Sequence, residues 1–161
     1  MTITRRLSLA FSLLSVTVIV SAVMAILVSN GFQSRFQYVQ TNSIPSIIDF
    51  GKLSDRANRL ILLMYRHQSA TSIARQEPVE KDISQEIDTL KSITQHYLDN
   101  YITDDDDRNM TENAFAIIQR IQTQLPIFIE GSRAQNDTVA LGQLQSSDGV
   151  GAAARELVSS Y

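Results

Sequence analysis

The twenty-two residues from Leu7 to Val28 are almost wholly apolar or small, and no charged side chain appears between Arg6 and Arg35. As a helix they would run about 33 Å, close to the roughly 30 Å of a bilayer's hydrocarbon core. Arg5 and Arg6 stand before the run. The positive-inside rule then predicts a cytoplasmic leader over 1–6, a transmembrane helix over 7–28 and an extracytoplasmic remainder over 29–161. Phe32, Phe36 and Tyr38 follow directly, where aromatic rings suit the membrane interface and its lipid. A cleaved signal peptide is the rival reading, with Val23-x-Ala25 or Ser29-x-Gly31 as the cleavage site. The run is longer than the usual signal core of roughly 7–15 residues, which favours an uncleaved anchor. Under both readings the rest of the chain is exported.

The remainder has helical patterning throughout. A first segment from Ser29 to about Arg75 carries an apolar stripe of Ile44, Ile47/Ile48, Leu53, Ala57, Leu60/Ile61 and Met64, continued by His67 and Thr71. Pro45 is expected to kink this helix or to begin a new one. Pro78 fits the first turn of the next helix. That helix has a seam of Val79, Ile83, Ile87, Leu90, Thr94, Tyr97 and Tyr101, the spacing of threes and fours that buries one face in a bundle. After Asp104–Asp107 a further helix places Met110, Ala114, Ile117/Ile118, Ile121, Leu125 and Phe128 inward, with a bend expected at Pro126. Gly131–Asn136 reads as a turn, and Asp137 or Thr138 as the cap of a last helix. There Val139, Leu144, Ala153 and Leu157 suggest an inner face, interrupted by Ser146–Gly149. The predicted fold is all-α: a transmembrane helix feeding an up-down-up-down four-helix bundle.

Length adds an expectation. Ser29–Arg75 would carry the chain about 70 Å from the membrane, whereas Asp137–Tyr161 returns only about 38 Å. The last helix therefore reads as truncated, within a longer protein that continues back to the membrane.

The layout resembles the N-terminal region of bacterial methyl-accepting chemotaxis proteins with a four-helix-bundle sensor domain. The resemblance rests on Met1-Thr2-Ile3-Thr4-Arg5-Arg6-Leu7 running into the anchor, on Asn42-Ser43-Ile44-Pro45-Ser46-Ile47, and on the arginine-bearing helix Leu53–Arg66. It covers nearly the whole chain in pattern and order. It implies a homodimer in the inner membrane, a periplasmic sensor domain and a second transmembrane helix further on. A cytoplasmic coiled coil beyond that would contact the chemotaxis kinase. Ectodomains of this kind also head sensor histidine kinases and diguanylate cyclases.

Lys52, Arg56, Arg59, Leu63 and Arg66 follow spacings of 4, 3, 4 and 3, one helical stripe flanking the apolar seam. Resembling receptors for amino acids use arginines of this helix to hold a ligand carboxylate, a task suited to the planar, two-pronged guanidinium. Arg56, Arg59 and Arg66 are the candidate ligand-binding residues, with Tyr65 and His67 beside them, for a small anionic ligand. The competing reading is a solvated cationic face that pairs with the acidic helices.

Other chemistry has little to stand on. The chain has 161 residues, net charge −3, no Cys and no Trp. That excludes a disulfide framework, a cysteine zinc site and a thiol nucleophile, and offers no basic patch for nucleic acid. Asp104–Asp107 lacks the spaced ligands of a calcium loop and suits a helix N-terminus better. His67 and His96 fall on different helices and are expected to bond locally rather than share a metal. No cofactor and no catalytic constellation is expected, so an anchored enzyme is the weakest reading. A bundle that senses through a periplasmic binding protein and a membrane-tethered assembly protein remain alternatives.

Overall fold

The computed structural model describes residues 3–159. Met1, Thr2, Ser160, Tyr161 and the side chains of Thr4, Arg6 and Ala10 lie outside that description, and with them part of the expected leader and the end of the last helix. The chain divides into two compact units, Met1–Ile44 and Pro45–Tyr161.

The first unit is helix α1, Ile3–Tyr38, followed by a π-helical turn, Val39–Ser43. The apolar side chains of α1 are exposed, Leu13, Ile19 and Leu27 among them, and it is long and apolar enough to cross a membrane. At the turn the Ile44 amide bonds to Val39 O, five residues back. Pro45 explains the widening: it has no N–H to give to the Thr41 carbonyl, so the regular ladder fails there. Where a kink or a new helix is expected at Pro45, the structure has a local change of helix type just before it, and α2 begins beside it at Ile44.

The second unit is an antiparallel bundle. Its helices are α2 (Ile44–Ser69), α3 (Ile73–Asn100), α4 (Asp105–Arg133) and a last pass made of α5 (Asp137–Gln145) and α6 (Val150–Ser159). Leu53, Ala57, Leu60 and Met64 of α2 share one core with Val79, Ile83, Ile87 and Leu90 of α3. Ala114, Ile118, Ile121 and Phe128 of α4 close the core with Leu144, Val150, Ala154 and Leu157. Removing a side chain such as Leu60, which has no exposure, would cost about 2–5 kcal/mol.

Several expectations are corrected by this packing. Ile44, Ile47 and Ile48 are exposed, because the step from Ile48 to Leu53 is five residues, about 140° around the helix. The buried face runs instead through Asp49, Leu53 and Ala57. Thr71 lies outside α2, which ends at Ser69, and is exposed. α3 begins at Ile73, so Pro78 sits in its second turn, not its first. Met110 is exposed and Thr111 takes the inner position, while Tyr101 is half-buried. α4 runs on through Arg133, so the turn is only Ala134–Asn136. Asn136 caps α5, its side chain accepting from the Val139 amide, and Val139 itself faces outward.

Ser146–Gly149 does interrupt the last pass. The break is held from three sides. Gln124 Nε2 donates to Asp148 O, the Val150 amide to Gln143 Oε1, and Arg155 Nη1 to Leu144 O. Asp104 caps α4 by accepting from the Asp107 amide, with Asp105–Asp107 filling the first turn where the helix dipole favours negative charge. Asp107 also accepts from Thr103 and from the Tyr97 hydroxyl.

Candidate functional site

Helical spacing brings Lys52, Arg56, Arg59 and Arg66 to one side of α2, but each basic residue meets different company. Lys52 Nζ bonds to Asp49 Oδ1 at 2.9 Å on its own helix. Arg56 Nη1 lies 3.1 and 3.2 Å from the two carboxylate oxygens of Glu86 on α3, and Arg59 Nε lies 2.8 Å from Glu86 Oε1. Glu86 is only 4% exposed, so both guanidiniums converge on one buried carboxylate. An isolated carboxylate at that depth would be costly, and two charge-assisted partners offset the cost. Lys52, Asp55, Arg56 and Arg59 line an open hollow of about 250 Å³ on this face.

Arg66 is placed differently. The ion pairs of the described residues leave it out. It opens instead on a second hollow of about 480 Å³, lined by Arg66, Ser69, Ala70, Ala74, Arg75, Pro78 and Val79 where α2 hands over to α3. Tyr65 and Leu62 are exposed on the outward side of α2.

His67 does not share a surface with these groups, for its side chain is fully buried in the bundle. Its Nδ1 is 2.8 Å from Ser132 Oγ and its Nε2 is 2.9 Å from Glu80 Oε1. A carboxylate only accepts, so Nε2 carries hydrogen. Arg133 closes the network, its Nε and Nη2 lying 2.7 and 2.6 Å from the two Glu80 oxygens. Gln76 Nε2 donates to Ser132 O at 3.2 Å. Chiefly the Arg133 hydrogen bond, with help from His67, holds the Glu80 carboxyl below the usual range against the opposing effect of burial. Glu80 in turn raises Arg133. His96 bonds locally, its Nδ1 3.0 Å from Asn100 Nδ2.

Sequence reasoning missed Glu86, Arg75 and the Glu80–Arg133 pair. Glu86 had a signal: it falls three residues after Ile83 and four before Leu90, a seam position filled by an acid. Arg75 had none, because only the turn at Ala70–Ser72 brings it beside Arg66.

An all-helical bundle of four antiparallel passes, preceded by one apolar helix, defines a helical sensory module. Residues 1–153 match the family described as a four helix bundle sensory module for signal transduction. The chain belongs to that family, the N-terminal sensor region of methyl-accepting chemotaxis receptors. No curated protein and no solved structure matches it.

Proposed function

We propose that this chain is the ligand-sensing region of a transmembrane chemoreceptor, anchored in a bacterial inner membrane by residues 7–28, with 1–6 cytoplasmic and 29–161 periplasmic. It binds a small carboxylate through the arginine-bearing face of α2 and signals across the membrane as a homodimer. The observation that carries the ligand reading is the contrast along that face. Arg56 and Arg59 are held by Glu86, whereas Arg66 enters no ion pair among the described residues and borders a hollow. The exposed apolar residues Ile47, Ile48, Leu62 and Tyr65 on α2 support a second copy along the same helix. Tyr65 and His67, the other two candidates, line neither hollow, and His67 is sealed in the core.

A bound ligand can drive signalling only as far as it prefers one helix arrangement over another. The test is thermal unfolding of the full chain in nanodiscs against amino acids and organic acids. A ligand at about 100 times its dissociation constant adds about 2.7 kcal/mol of stability. The expected result is a compound that raises the melting temperature of wild type and not of Arg66→Ala. If no compound moves the melting temperature of a folded dimer, direct sensing fails and a periplasmic binding protein becomes the input.

A further inference from the structure

We infer that His67 is a proton-binding site through which the bundle registers acidity, its protonation moving the hold on Glu80 away from Arg133 of α4 and toward α2. The input is a proton, so this does not rest on the small-molecule reading.

The ring is sealed in the core with both nitrogens bonded. Nδ1 lies 2.8 Å from Ser132 Oγ and Nε2 lies 2.9 Å from Glu80 Oε1. With Nε2 donating to the carboxylate, the neutral ring accepts at Nδ1 from the Ser132 hydroxyl. A spare acceptor stands beside this bond, for Ser132 Oγ is also 3.3 Å from His67 O. When Nδ1 gains a proton it donates to Ser132 Oγ, and the hydroxyl hydrogen turns to His67 O. Both charge states of the ring then keep their hydrogen bonds with no heavy atom displaced. The penalty of an unsatisfied buried group therefore does not oppose proton uptake, and the Glu80 carboxylate offsets the cost of a buried charge.

The charged surroundings come from three helices. Glu80 of α3 faces the ring directly, and Arg133 of α4 faces it across the same oxygen, with Nε 2.7 Å from Oε1. Glu77 of α3 acts on Arg133. On α5, Asp137 accepts from Gln68, the residue after His67. The Phe128 ring of α4, 5.7 Å from the imidazole, is uncharged. Glu80 is held below the ordinary carboxylate value, chiefly by Arg133, so it stays an anion across the pH 5–8 window in which imidazole ordinarily changes charge. Within this cluster the imidazole is the group that switches there.

The shared oxygen converts the switch into a redistribution among helices. Protonation sets a second positive charge against Glu80 Oε1. It strengthens the bond from His67 and repels the Arg133 guanidinium. His67 is enclosed and has nowhere to withdraw, whereas the Arg133 side chain is half-exposed and has water to turn to. The tie between α3 and α4 loosens as the tie between α2 and α3 tightens. Such an element with two arrangements is what a proton needs in order to bias a helical bundle.

The experiment is side-chain nitrogen NMR of the full chain in nanodiscs, followed from pH 8 to pH 5. The chain has two histidines, so His96→Gln leaves only the His67 signals, and Arg133→Lys identifies the Arg133 Nε–H. The expected result is a ring with hydrogen on Nε2 at pH 8 and an imidazolium by pH 5. Arg133 Nε–H should lose its protection from exchange over the same interval. His67→Gln keeps a donor for Glu80 and an acceptor for Ser132 but takes no proton, and its Arg133 signal should hold steady from pH 8 to pH 5. Ser132→Ala removes the acceptor for the second proton and should weaken proton binding about tenfold. A ring that stays neutral at pH 5 in the folded protein would overturn the proton site and leave His67 a structural tie. A protonated ring with Arg133 protection unchanged would overturn the coupling to α4. If His67→Gln does not fold, the wild-type and Ser132→Ala titrations decide between these outcomes.

Discussion

His67 Nε2 and Glu80 Oε1 stand 2.9 Å apart, the first fully buried on α2 and the second at the edge of α3, with Arg133 of α4 gripping the same carboxylate. Three helices are tied at one end of the bundle through one acid. The Glu80 carboxyl is held below its ordinary value, mostly by Arg133. A depressed carboxyl stabilises the fold above its unfolded-state pKa of about 4.5, and that contribution is lost as pH falls through the lower folded value. Melting temperature should therefore fall on acidification below about pH 4.5. Glu80→Gln should be less stable at neutral pH and show a flatter acid limb. A Glu80→Gln profile parallel to wild type would assign the acid sensitivity to other carboxylates.

Glu86 and its two arginines should respond unequally to substitution. Glu86 is buried, while the side chains of Arg56 and Arg59 are 41% and 58% exposed. Removing both arginines strands a buried carboxylate, at a cost of about 3–5 kcal/mol. Removing the acid lets the arginines return to water, and an apolar replacement of similar size, Glu86→Met, should be near neutral or stabilising. Chemical denaturation of Arg56→Ala/Arg59→Ala and of Glu86→Met measures both sides. Equal losses in the two would show that the pair itself, not the desolvated acid, governs stability. The same asymmetry means that loss of ligand response in an Arg56 variant is informative only if the variant is shown to be folded.

Gln135 adopts φ 53° in the turn after α4, a region in which non-glycine residues are strained. The Asn136 amide bonds to Gly131 O and the Gln135 amide to Ser132 O, the paired bonds of a Schellman ending. Gly is the residue usually found at that place. Gln135→Gly should relieve about 1–2 kcal/mol of backbone strain, set against about 0.5–1 kcal/mol from the freer unfolded chain. The expected net is a small rise in melting temperature. A fall would mean that the Gln135 side-chain bond to Ala70 O, at 3.3 Å, outweighs the strain.

Much of the bundle was legible because seam residues repeat at three and four. Val79 through Tyr97 come out buried as their spacing requires. The failures arise where spacing is ambiguous or where contact depends on the third dimension. Ile48 looked like a continuation of the α2 stripe but is a five-residue step from Leu53. Pro78 looked like a helix start, yet α3 extends back to Ile73 with Ser72 in extended geometry at its N-cap. The basic face was readable from α2 alone. What each arginine touches was not, since Glu86 and Arg75 belong to another helix. His67 sat on the seam by spacing, but its partners Ser132 and Glu80 are 65 and 13 residues away.

The break in the last pass yields the sharpest steric prediction. α5 ends at Gln145 and α6 starts at Val150, and the chain returns so closely that Gly151 lies against the backbone of Leu144. A Cβ built on Gly151 would stand 2.2 Å from Leu144 O, and one on Gly149 would stand 2.3 Å from Gln143 O. Backbone carbonyls cannot swing aside as a long side chain can, so accommodation must move α5 against α6. Both helices anchor in the core through Leu144, Ala153, Ala154 and Leu157, and overpacking there costs about 1–3 kcal/mol. Gly151→Ala should lower the melting temperature clearly. Gly142→Ala, where the added carbon meets nothing within 4 Å, should be neutral or slightly stabilising because alanine favours helix. Comparing the two by thermal denaturation separates steric contact from helix propensity. Equal effects would mean that the α5–α6 junction is looser than its close approach implies.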